Sequence, residues 1–193
     1  MANAKKRCRY CKEWKPVETM LKVPLGAFCN VDHAYKYAAE KSQAKRTKEV
    51  KRDIRQKKET LLTARDWIKK AQAAVNSYVR LRDEGKACIS CGSYPEQKSG
   101  GTIDAGHYRS RGAAGHLRFN LFNIHSQCVK CNRYNSGNAV DYRIRLIEKI
   151  GVDRVERLEC DNAPKRFTID YLSRLQKIFL KRSRHLKKLR GNT

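Results

Sequence analysis

Residues 88–132 read CISCGSYPEQKSGGTIDAGHYRSRGAAGHLRFNLFNIHSQCVKCN, and this stretch decides how the middle of the chain folds. It opens with one Cys-x2-Cys pair and closes with another. Two such pairs can place four thiolates in a tetrahedron around one Zn²⁺ ion. The spacing therefore predicts a zinc site with the ligands Cys88, Cys91, Cys128 and Cys131.

The insert between the two pairs carries Asp104 and three histidines, His107, His116 and His125. A zinc site that only holds the fold together does not need such an insert. Imidazoles and carboxylates are the usual groups for proton transfer and for metal binding. The pattern favours a scaffold pinned by zinc that carries a second, catalytic site.

The N-terminal segment, residues 1–33, contains a second set of metal-ligand residues. A Cys8-x2-Cys11 pair is followed, after a gap rich in turn residues, by Cys29 and His33. Residues four apart on a helix point the same way, so one ion could take both. A module this small cannot bury its own core, and zinc would substitute for one. We predict a zinc ribbon here; the alternative is a free Cys29 with His33 on a helix surface.

The charge of the chain indicates a polyanionic partner. The 193 residues include 44 Lys and Arg against 19 Asp and Glu, a formal charge of +25. Such an excess is costly to hold in a compact fold unless a polyanion shares it. Nucleic acid is the natural partner, because each neutralised phosphate releases condensed counterions. A ribosome-like or merely soluble basic protein is the alternative.

Cysteine usage indicates a reducing compartment. Six of the eight cysteines fall in Cys-x2-Cys pairs, which is metal-ligand spacing rather than a disulfide framework. The N-terminal MANAKKRCRYCKEW lacks the apolar core of a secretory signal, and no apolar run is long enough to cross a bilayer. We therefore expect thiolates on metal, a cytosolic location and no membrane partner.

Residues 34–85 predict one long basic helix. They contain no proline, and their first glycine is Gly85. The first half is polar nearly all round and could lie along a DNA backbone. The second half has apolar residues at spacings of three and four, which is a heptad seam. The seam consists of Leu61, Ala64, Ile68, Ala71, Val75 and Tyr78. It is expected to contact either the C-terminal helices or a partner chain in a possible homodimer.

The last two segments, residues 86–138 and 139–193, differ in composition. The first is rich in turn residues, such as Pro95, Gly100 and Gly101, and GTIDAGHYRSRG reads as a strand with a turn. Residues 123–127 predict a second strand or the approach to a helix that begins near Cys131. The second segment predicts helices, with an apolar stripe through Val140, Ile144, Ile147 and Ile150, a stop at Gly151, a cap at Thr168 and a buried Cys160.

Three stretches of the chain resemble one phage family. They are CRYCKEWKP at 8–16, DAGHYRSRG at 104–112 and RFNLFNIHSQCVKCNRYNSGN at 118–138. They resemble the lambdoid phage NinG family, also called the Rap recombination nucleases. The central module is similar to HNH, or His-Me finger, nucleases. It also resembles junction resolvases of the endonuclease VII type, in which four cysteines hold zinc and an asparagine follows the last cysteine.

The resemblance implies a Mg²⁺-dependent endodeoxyribonuclease that cuts branched recombination DNA, such as Holliday junctions and D-loops. It implies a location in the cytoplasm of the bacterial host cell and possible phage recombination proteins as partners. Mn²⁺ would substitute for Mg²⁺, and the two zinc ions would be structural. The expected fold class is α+β and mostly helical, with a zinc ribbon, a long basic helix, a zinc-stabilised ββα nuclease module and C-terminal basic helices.

The resemblance also assigns roles to single residues. His107 matches the general base, Asn132 matches the Mg²⁺ ligand that opens a helix, and Asn123 matches an asparagine that orients a loop. The family has an acidic ligand directly before the histidine, but Gly106 stands there in this chain. The nearest carboxylate, Asp104, is therefore the second candidate Mg²⁺ ligand. The alternative is an ion held by Asn132, waters and the phosphate.

Several assignments and the function itself keep alternatives. His125, three residues before Cys128, competes as a metal ligand or as the base. Arg109, Arg111 and Arg118 are expected to bind DNA phosphates, or else they form a solvated face. One rival function is a non-catalytic zinc-finger protein that binds nucleic acid. Another is an HNH nuclease that recognises a specific sequence.

Overall fold

The structure, a computed structural model, describes residues 4–94 and 102–191. The chain forms two compact units, residues 1–61 and 62–193. The fold is mixed α and β and mostly helical, which confirms the expected class. Pro95, Gly100 and Gly101, predicted as turn residues, lie outside the described ranges. In the part of the chain that is described, no helix combines the length and the apolar character that crossing a membrane requires.

The first unit consists of two short antiparallel hairpins and a long helix. Their order is β1 (Lys5–Arg7), β2 (Trp14–Pro16), β3 (Leu21–Val23), β4 (Gly26–Phe28) and α1 (Val31–Thr60). The side chain of Asn30 caps α1 by accepting the backbone N–H of His33 at 2.9 Å. The apolar core is small, with Cys8, Met20 and Phe28 at its centre. So small a core agrees with a module that depends on metal.

The predicted long helix over residues 34–85 is two helices. α1 ends at Thr60, and α2 (Ala64–Arg82) begins after a break of three residues. Thr63 and Asp66 form a capping box: the Thr63 hydroxyl accepts the Asp66 N–H, and the Asp66 carboxylate accepts the Thr63 N–H. In a continuous helix, the N–H groups of Thr63 and Asp66 would pair with carbonyls of the preceding turn. Here the two side chains accept these N–H groups, so a new helix begins at this point.

The second unit contains α2, one two-stranded sheet and three further helices. After α2 come β5 (Ile103–His107), β6 (Ile124–Cys128), α3 (Ala139–Ile150), α4 (Val152–Cys160) and α5 (Ile169–Leu189). One face of the sheet packs through Ala105 and Ile124 on α2 and α5. On the other face, the Tyr142 hydroxyl from α3 donates to the carbonyl of Gly106. The hairpin is therefore held between two layers of helices.

The heptad seam is used inside this unit. Ala71 and Val75 are fully buried, and they pack with Leu172 and Phe179 of α5. Leu61, at the start of the predicted seam, is exposed. The predicted contact with the C-terminal helix is thus confirmed for Ala71 and Val75. The possible homodimer stays a prediction.

The C-terminal helices confirm the predicted limits but correct two packing assignments. α3 ends at Gly151 and α5 is capped by Thr168, as predicted. The buried side of α3 carries Tyr142 and Leu146, whereas Val140 and Ile144 of the predicted stripe are exposed. Cys160, expected to be buried, is exposed at the end of α4.

Candidate functional site

The β5–β6 hairpin brings the predicted site residues together. The strands are antiparallel, with Asp104 opposite Gln127 and His107 opposite Ile124. β6 runs into a single helical turn, Lys130–Tyr134, which carries Asn132. This turn matches the predicted helix start, although it is only five residues long. Two strands and a short helix thus present Asp104, His107 and Asn132 from neighbouring backbone segments.

These three side chains line one cavity of about 550 Å³. Its wall is polar and cationic rather than apolar. The lining residues that carry charge or a polar side chain include Asn76, Arg80, Asp104, His107, Ser110, Arg111, Asn132 and Arg133. The pocket is therefore suited to an anionic group more than to an apolar ligand.

A hydrogen-bonded cluster forms at Asp104. Asn132 Nδ2 donates to Asp104 Oδ2 at 2.8 Å, and the Arg133 guanidinium donates to both carboxylate oxygens at 2.7 and 2.9 Å. The hydrogen bond from Arg133, then that from Asn132, lowers the pKa of Asp104 against the effect of partial burial. The carboxylate is therefore ionised at neutral pH. Asn132 Oδ1 takes no part in this bond and remains a potential oxygen ligand.

The imidazole of His107 has a defined tautomer. His107 Nε2 lies 3.1 Å from the carbonyl oxygen of Arg118, and a carbonyl only accepts, so Nε2 carries the proton. Nδ1 then keeps its lone pair. Burial first, and then the charges of Arg111 and Arg118, lowers the pKa of His107 to about 4, against the opposing effect of the Arg118 and Ala105 carbonyls. His107 is thus a neutral base at pH 7.

The space beside Gly106, where the resemblance to HNH nucleases predicts an acidic ligand, is occupied by Gln127. A Cβ on Gly106 would lie 2.0 Å from Gln127 Oε1 and 2.8 Å from Gln127 Cβ. Gln127 is fully buried and donates through Nε2 to Ser90 Oγ at 2.7 Å and to the Gly137 carbonyl at 2.5 Å. The space of an acidic side chain is therefore filled from the facing strand. Asp104 is the carboxylate that β5 can offer to the cavity.

Asn123 holds the loop that follows β5. It is fully buried, and its amide spans the loop: Oδ1 accepts the Arg109 N–H at 2.8 Å, and Nδ2 donates to the Arg109 carbonyl at 3.0 Å. Asn123 is not among the residues that line the cavity. Its place agrees with a loop-orienting residue and not with a residue that contacts substrate.

Arg109 has a different role from the predicted phosphate contact. Its guanidinium donates to the carbonyls of Leu158, Glu159 and Asp161 and to Asn162 Oδ1, at 2.7 to 3.1 Å. These acceptors lie at and beyond the C-terminus of α4, where unpaired carbonyls and the helix dipole favour a cation. Arg109 therefore ties the site loop to α4. Both terminal nitrogens of its guanidinium thus bond within the protein, which argues against the predicted contact with DNA.

Two of the histidines lie outside the cavity wall. His125, the competing ligand or base, is buried, and its Nδ1 is 3.2 Å from the Tyr142 hydroxyl. Burial foremost, with the nearby Lys149 and Arg82, lowers the pKa of His125 to about 3. His116 Nε2 bonds the Asp161 carbonyl at 2.7 Å. Neither ring is among the residues that line the cavity.

Two cavity arginines were missed by sequence reasoning. Arg133 directly follows Asn132 in CNRY, so its adjacency was a usable signal. Arg80 lies on α2, one helical turn after Asn76, and only the packing of α2 beside the hairpin brings it to the site. Of the predicted arginines, Arg111 lines the cavity. Arg118 is close to Arg111. Its partial burial, and then the positive charge of Arg111, lowers the pKa of Arg118.

The two predicted metal-ligand sets each form a cluster. In both, one ligand atom per residue lies within 4.8 Å of the others, and the sets are Cys8, Cys11, Cys29, His33 and Cys88, Cys91, Cys128, Cys131. A tetrahedron with Zn–S bonds of about 2.3 Å has edges of about 3.8 Å. The Cys91–Cys128 sulfur distance is 3.9 Å, and Cys11–Cys29 is 3.5 Å. Both clusters can hold a zinc ion.

The protonation of the thiols agrees with metal ligation. Burial raises the pKa of Cys8, but hydrogen bonds from backbone groups outweigh it and lower the pKa to about 6. Burial also raises the pKa of Cys91, and hydrogen bonds from Ser93 outweigh it and lower the pKa to about 6. Burial and the neighbouring thiols raise the pKa of Cys29 to about 11 and of Cys131 to about 12. Metal binding is therefore expected to release protons from the latter two.

The fold and its clusters define a small basic protein built on two four-ligand sites of the zinc type. The family model described as the bacteriophage lambda NinG protein matches residues 1–190, and the chain belongs to the NinG family.

Individual relatives agree with this family. The chain is 37% identical over 182 residues to protein ninG of Enterobacteria phage H19B, a match covering 86% of each chain. It is 36% identical over 182 residues to protein ninG of Escherichia phage 933W, again with 86% of each chain covered. Protein ninG of Escherichia phage lambda is 49% identical over 104 residues, 54% of this chain and 49% of that protein. No solved structure matches the chain significantly.

Proposed function

We propose that the protein is a metal-dependent DNA endonuclease that hydrolyses branched recombination DNA. The observation that carries the proposal is the meeting of a neutral imidazole, a carboxylate and an amide oxygen in one cavity rimmed by arginines. A phosphodiester needs a base for the attacking water, cations around the phosphate and a stabilised leaving oxygen. The residues of this cavity offer all of these groups.

In this proposal, His107 is the general base. Its Nδ1 accepts a proton from the water that attacks phosphorus, while Nε2–H holds the ring against the Arg118 carbonyl. A pKa of about 4 keeps the imidazole unprotonated at the pH of a cell, so the base is available in nearly every molecule. Positive charge from Arg111 and Arg118 disfavours the imidazolium until phosphate enters and offsets it.

The Asp104 carboxylate and Asn132 Oδ1 would hold a divalent ion. Both are hard oxygen ligands of the kind that Mg²⁺ and Mn²⁺ take, and Mg²⁺ usually keeps several waters, so two protein ligands suffice. When bound, such an ion polarises the phosphate and stabilises the departing 3′-oxygen. Arg133 occupies both oxygens of Asp104 in the structure, so the two cations would share this carboxylate or Arg133 would turn to the phosphate.

Arg80 and Arg111 are the phosphate-binding residues of the proposal. Both line the cavity, and a guanidinium can bind a phosphate through two parallel hydrogen bonds. The preference for branched DNA, including Holliday junctions and D-loops, comes from the resemblance of the family and not from the cavity.

A second candidate function rests on the Asp104–Arg133 ion pair. In a non-catalytic zinc protein that binds DNA, this pair would only hold the one-turn helix against β5. The metal requirement of cleavage separates the two functions.

Asn132→Ala tests the proposed metal site. The variant should need at least tenfold more Mg²⁺ for half-maximal cleavage of a junction, because one of two protein ligands is lost, and excess Mg²⁺ or Mn²⁺ should restore part of the rate. Cleavage is measured across a metal titration. Asn135→Ala is the matched control, since Asn135 is exposed three residues further on. An unchanged metal requirement in Asn132→Ala would remove this residue from the metal site.

A further inference from the structure

Helix α1 leaves most of its length without packing contacts inside its own unit. Every residue from 39 to 58 is exposed, and no residue of α1 is buried. Helices in proteins owe most of their stability to an apolar face packed on a core, which this one lacks. Residues 31–60 carry ten Lys and Arg against five Asp and Glu. The exposed surface of α1 is therefore mainly charged, with a net positive excess.

The cations of α1 are concentrated on one face. Spacings of four, three, four and three residues align five of them in a row, which we name the basic stripe: Lys41, Lys45, Lys48, Arg52 and Arg55. At 1.5 Å per residue, the basic stripe is about 21 Å long. By the same periodicity, the opposite face carries Arg46 and Lys57 together with the exposed apolar residues Val50 and Ile54.

The basic stripe is only partly neutralised within the protein. Arg55 Nε is 3.2 Å from Glu59, and Arg52 Nε is 3.7 Å from Asp53. Within the described residues, the three lysines of the basic stripe form no salt bridge with an acidic side chain. Lys41 lies over the ring of Tyr37 at 5.5 Å. Like charges three and four residues apart destabilise a helix, so a row of five is costly until an anion offsets it.

We propose that the basic stripe binds the phosphate backbone of a duplex arm of the DNA substrate. Duplex DNA carries about one negative charge per 1.7 Å of its axis, so a stripe of about 21 Å faces several phosphates at once. Contacts from Lys and Arg to phosphate position a protein without reading sequence. Only the choice of DNA as the polyanion rests on the proposed function; the surface itself rests on charge and exposure.

Two triple variants of the full-length protein test this site. Lys45→Gln, Lys48→Gln and Arg52→Gln remove three cations of the basic stripe, while Arg46→Gln, Lys57→Gln and Lys58→Gln remove the same charge from other faces. Glutamine is a good helix former, so α1 should persist, which circular dichroism checks. The dissociation constant for duplex DNA is measured by fluorescence anisotropy on zinc-loaded protein without added Mg²⁺ or Mn²⁺, from 50 to 200 mM salt.

The stripe variant should bind DNA on the order of a hundredfold more weakly at 100 mM salt, and its slope of log K against log salt should fall by about three. The control variant should change the slope by less than one. A third variant, Lys45→Arg with Lys48→Arg, keeps the charge and should bind as the wild type does. Equal losses in both triple variants, or a loss in the charge-keeping variant, would overturn the site.

The same experiment separates this inference from the proposed nuclease activity. Binding measured without added Mg²⁺ or Mn²⁺ needs no cleavage. An inactive wild-type protein whose stripe variant binds DNA more weakly would therefore refute the activity and leave the binding site standing. A wild-type protein that cleaves DNA, with a stripe variant that binds DNA normally, would refute the binding site and leave the activity standing. Tighter binding of an RNA duplex of the same length, dependent on the basic stripe, would overturn the choice of DNA.

Discussion

His107→Ala should slow cleavage of a junction by about a hundredfold to ten-thousandfold, because a general base of this kind contributes a factor of that size. The fold, the zinc content and DNA binding should stay close to those of the wild type. Binding depends on many distributed Lys and Arg contacts, to which a neutral ring adds little. Single-turnover cleavage and anisotropy titrations measure the two effects separately.

His107→Gln distinguishes a base from a tether. A glutamine amide can still donate to the Arg118 carbonyl, as Nε2 does, but it has no basic nitrogen. If His107 only holds the loop, the glutamine variant should keep most of its activity; if it is the base, the loss should equal that of the alanine variant.

The pH profile gives an independent readout of the same residue. The neutral form is active and its pKa lies near 4, so the acid limb of kcat/KM should fall well below the ordinary histidine value of 6.5. An unfolded histidine takes up its proton near 6.5, so folding stability is expected to decline as pH falls below that value. Unfolding and zinc content are therefore followed at each pH. An acid limb near 6.5 in folded, zinc-loaded protein would contradict the assignment.

Cys131→Ser should leave the protein with one zinc ion instead of two and should unfold much of the second unit. Structural zinc contributes about 10 to 16 kcal/mol of apparent binding free energy in small zinc modules, which exceeds the stability of a typical domain. Cys131 is buried, and its cluster joins the end of β6 to the segment that carries Cys88 and Cys91. Metal analysis and thermal unfolding measure the outcome.

The chain supplies its own control and its own reporters for the zinc experiment. Cys160→Ser removes an exposed thiol outside both clusters and should change neither zinc content nor stability. Trp67 is 6% exposed in the second unit, whereas Trp14 is 66% exposed in the first, so loss of the second unit should appear mainly in the emission of Trp67. A Cys131→Ser variant that keeps two zinc ions and its unfolding temperature would refute the cluster.

Ligand spacing carried most of what the sequence could predict. Both metal clusters follow from Cys-x2-Cys pairs, because two residues in one tight turn must point at the same ion. The strand with Asp104 and His107 was predicted from GTIDAGHYRSRG and is confirmed as β5, and of the two alternatives for residues 123–127 the strand is confirmed as β6. The end of α3 at Gly151 and the cap of α5 at Thr168 are equally local signals.

One error was local: the break before α2 lacks Pro and Gly, and the capping pair Thr63 and Asp66 was not recognised. The other errors concern features that depend on distant parts of the chain. Arg109 looked like a phosphate contact because the carbonyls it binds lie about fifty residues away. Arg80 reaches the cavity only through the packing of α2. Composition alone could not tell a heptad seam that meets a partner chain from one that meets α5.

The proposed function requires that the cavity of Asp104, His107 and Asn132 hydrolyses branched DNA with the help of a divalent ion. The most direct test incubates the purified, zinc-loaded protein with a four-way junction and with a linear duplex of equal length, with Mg²⁺ and without added Mg²⁺ or Mn²⁺, and resolves the strands on a denaturing gel. We expect cleavage of the junction in Mg²⁺, much slower cleavage of the linear duplex, and none without the added ion. An intact junction in Mg²⁺ and in Mn²⁺, bound tightly by folded protein, would contradict the proposed function.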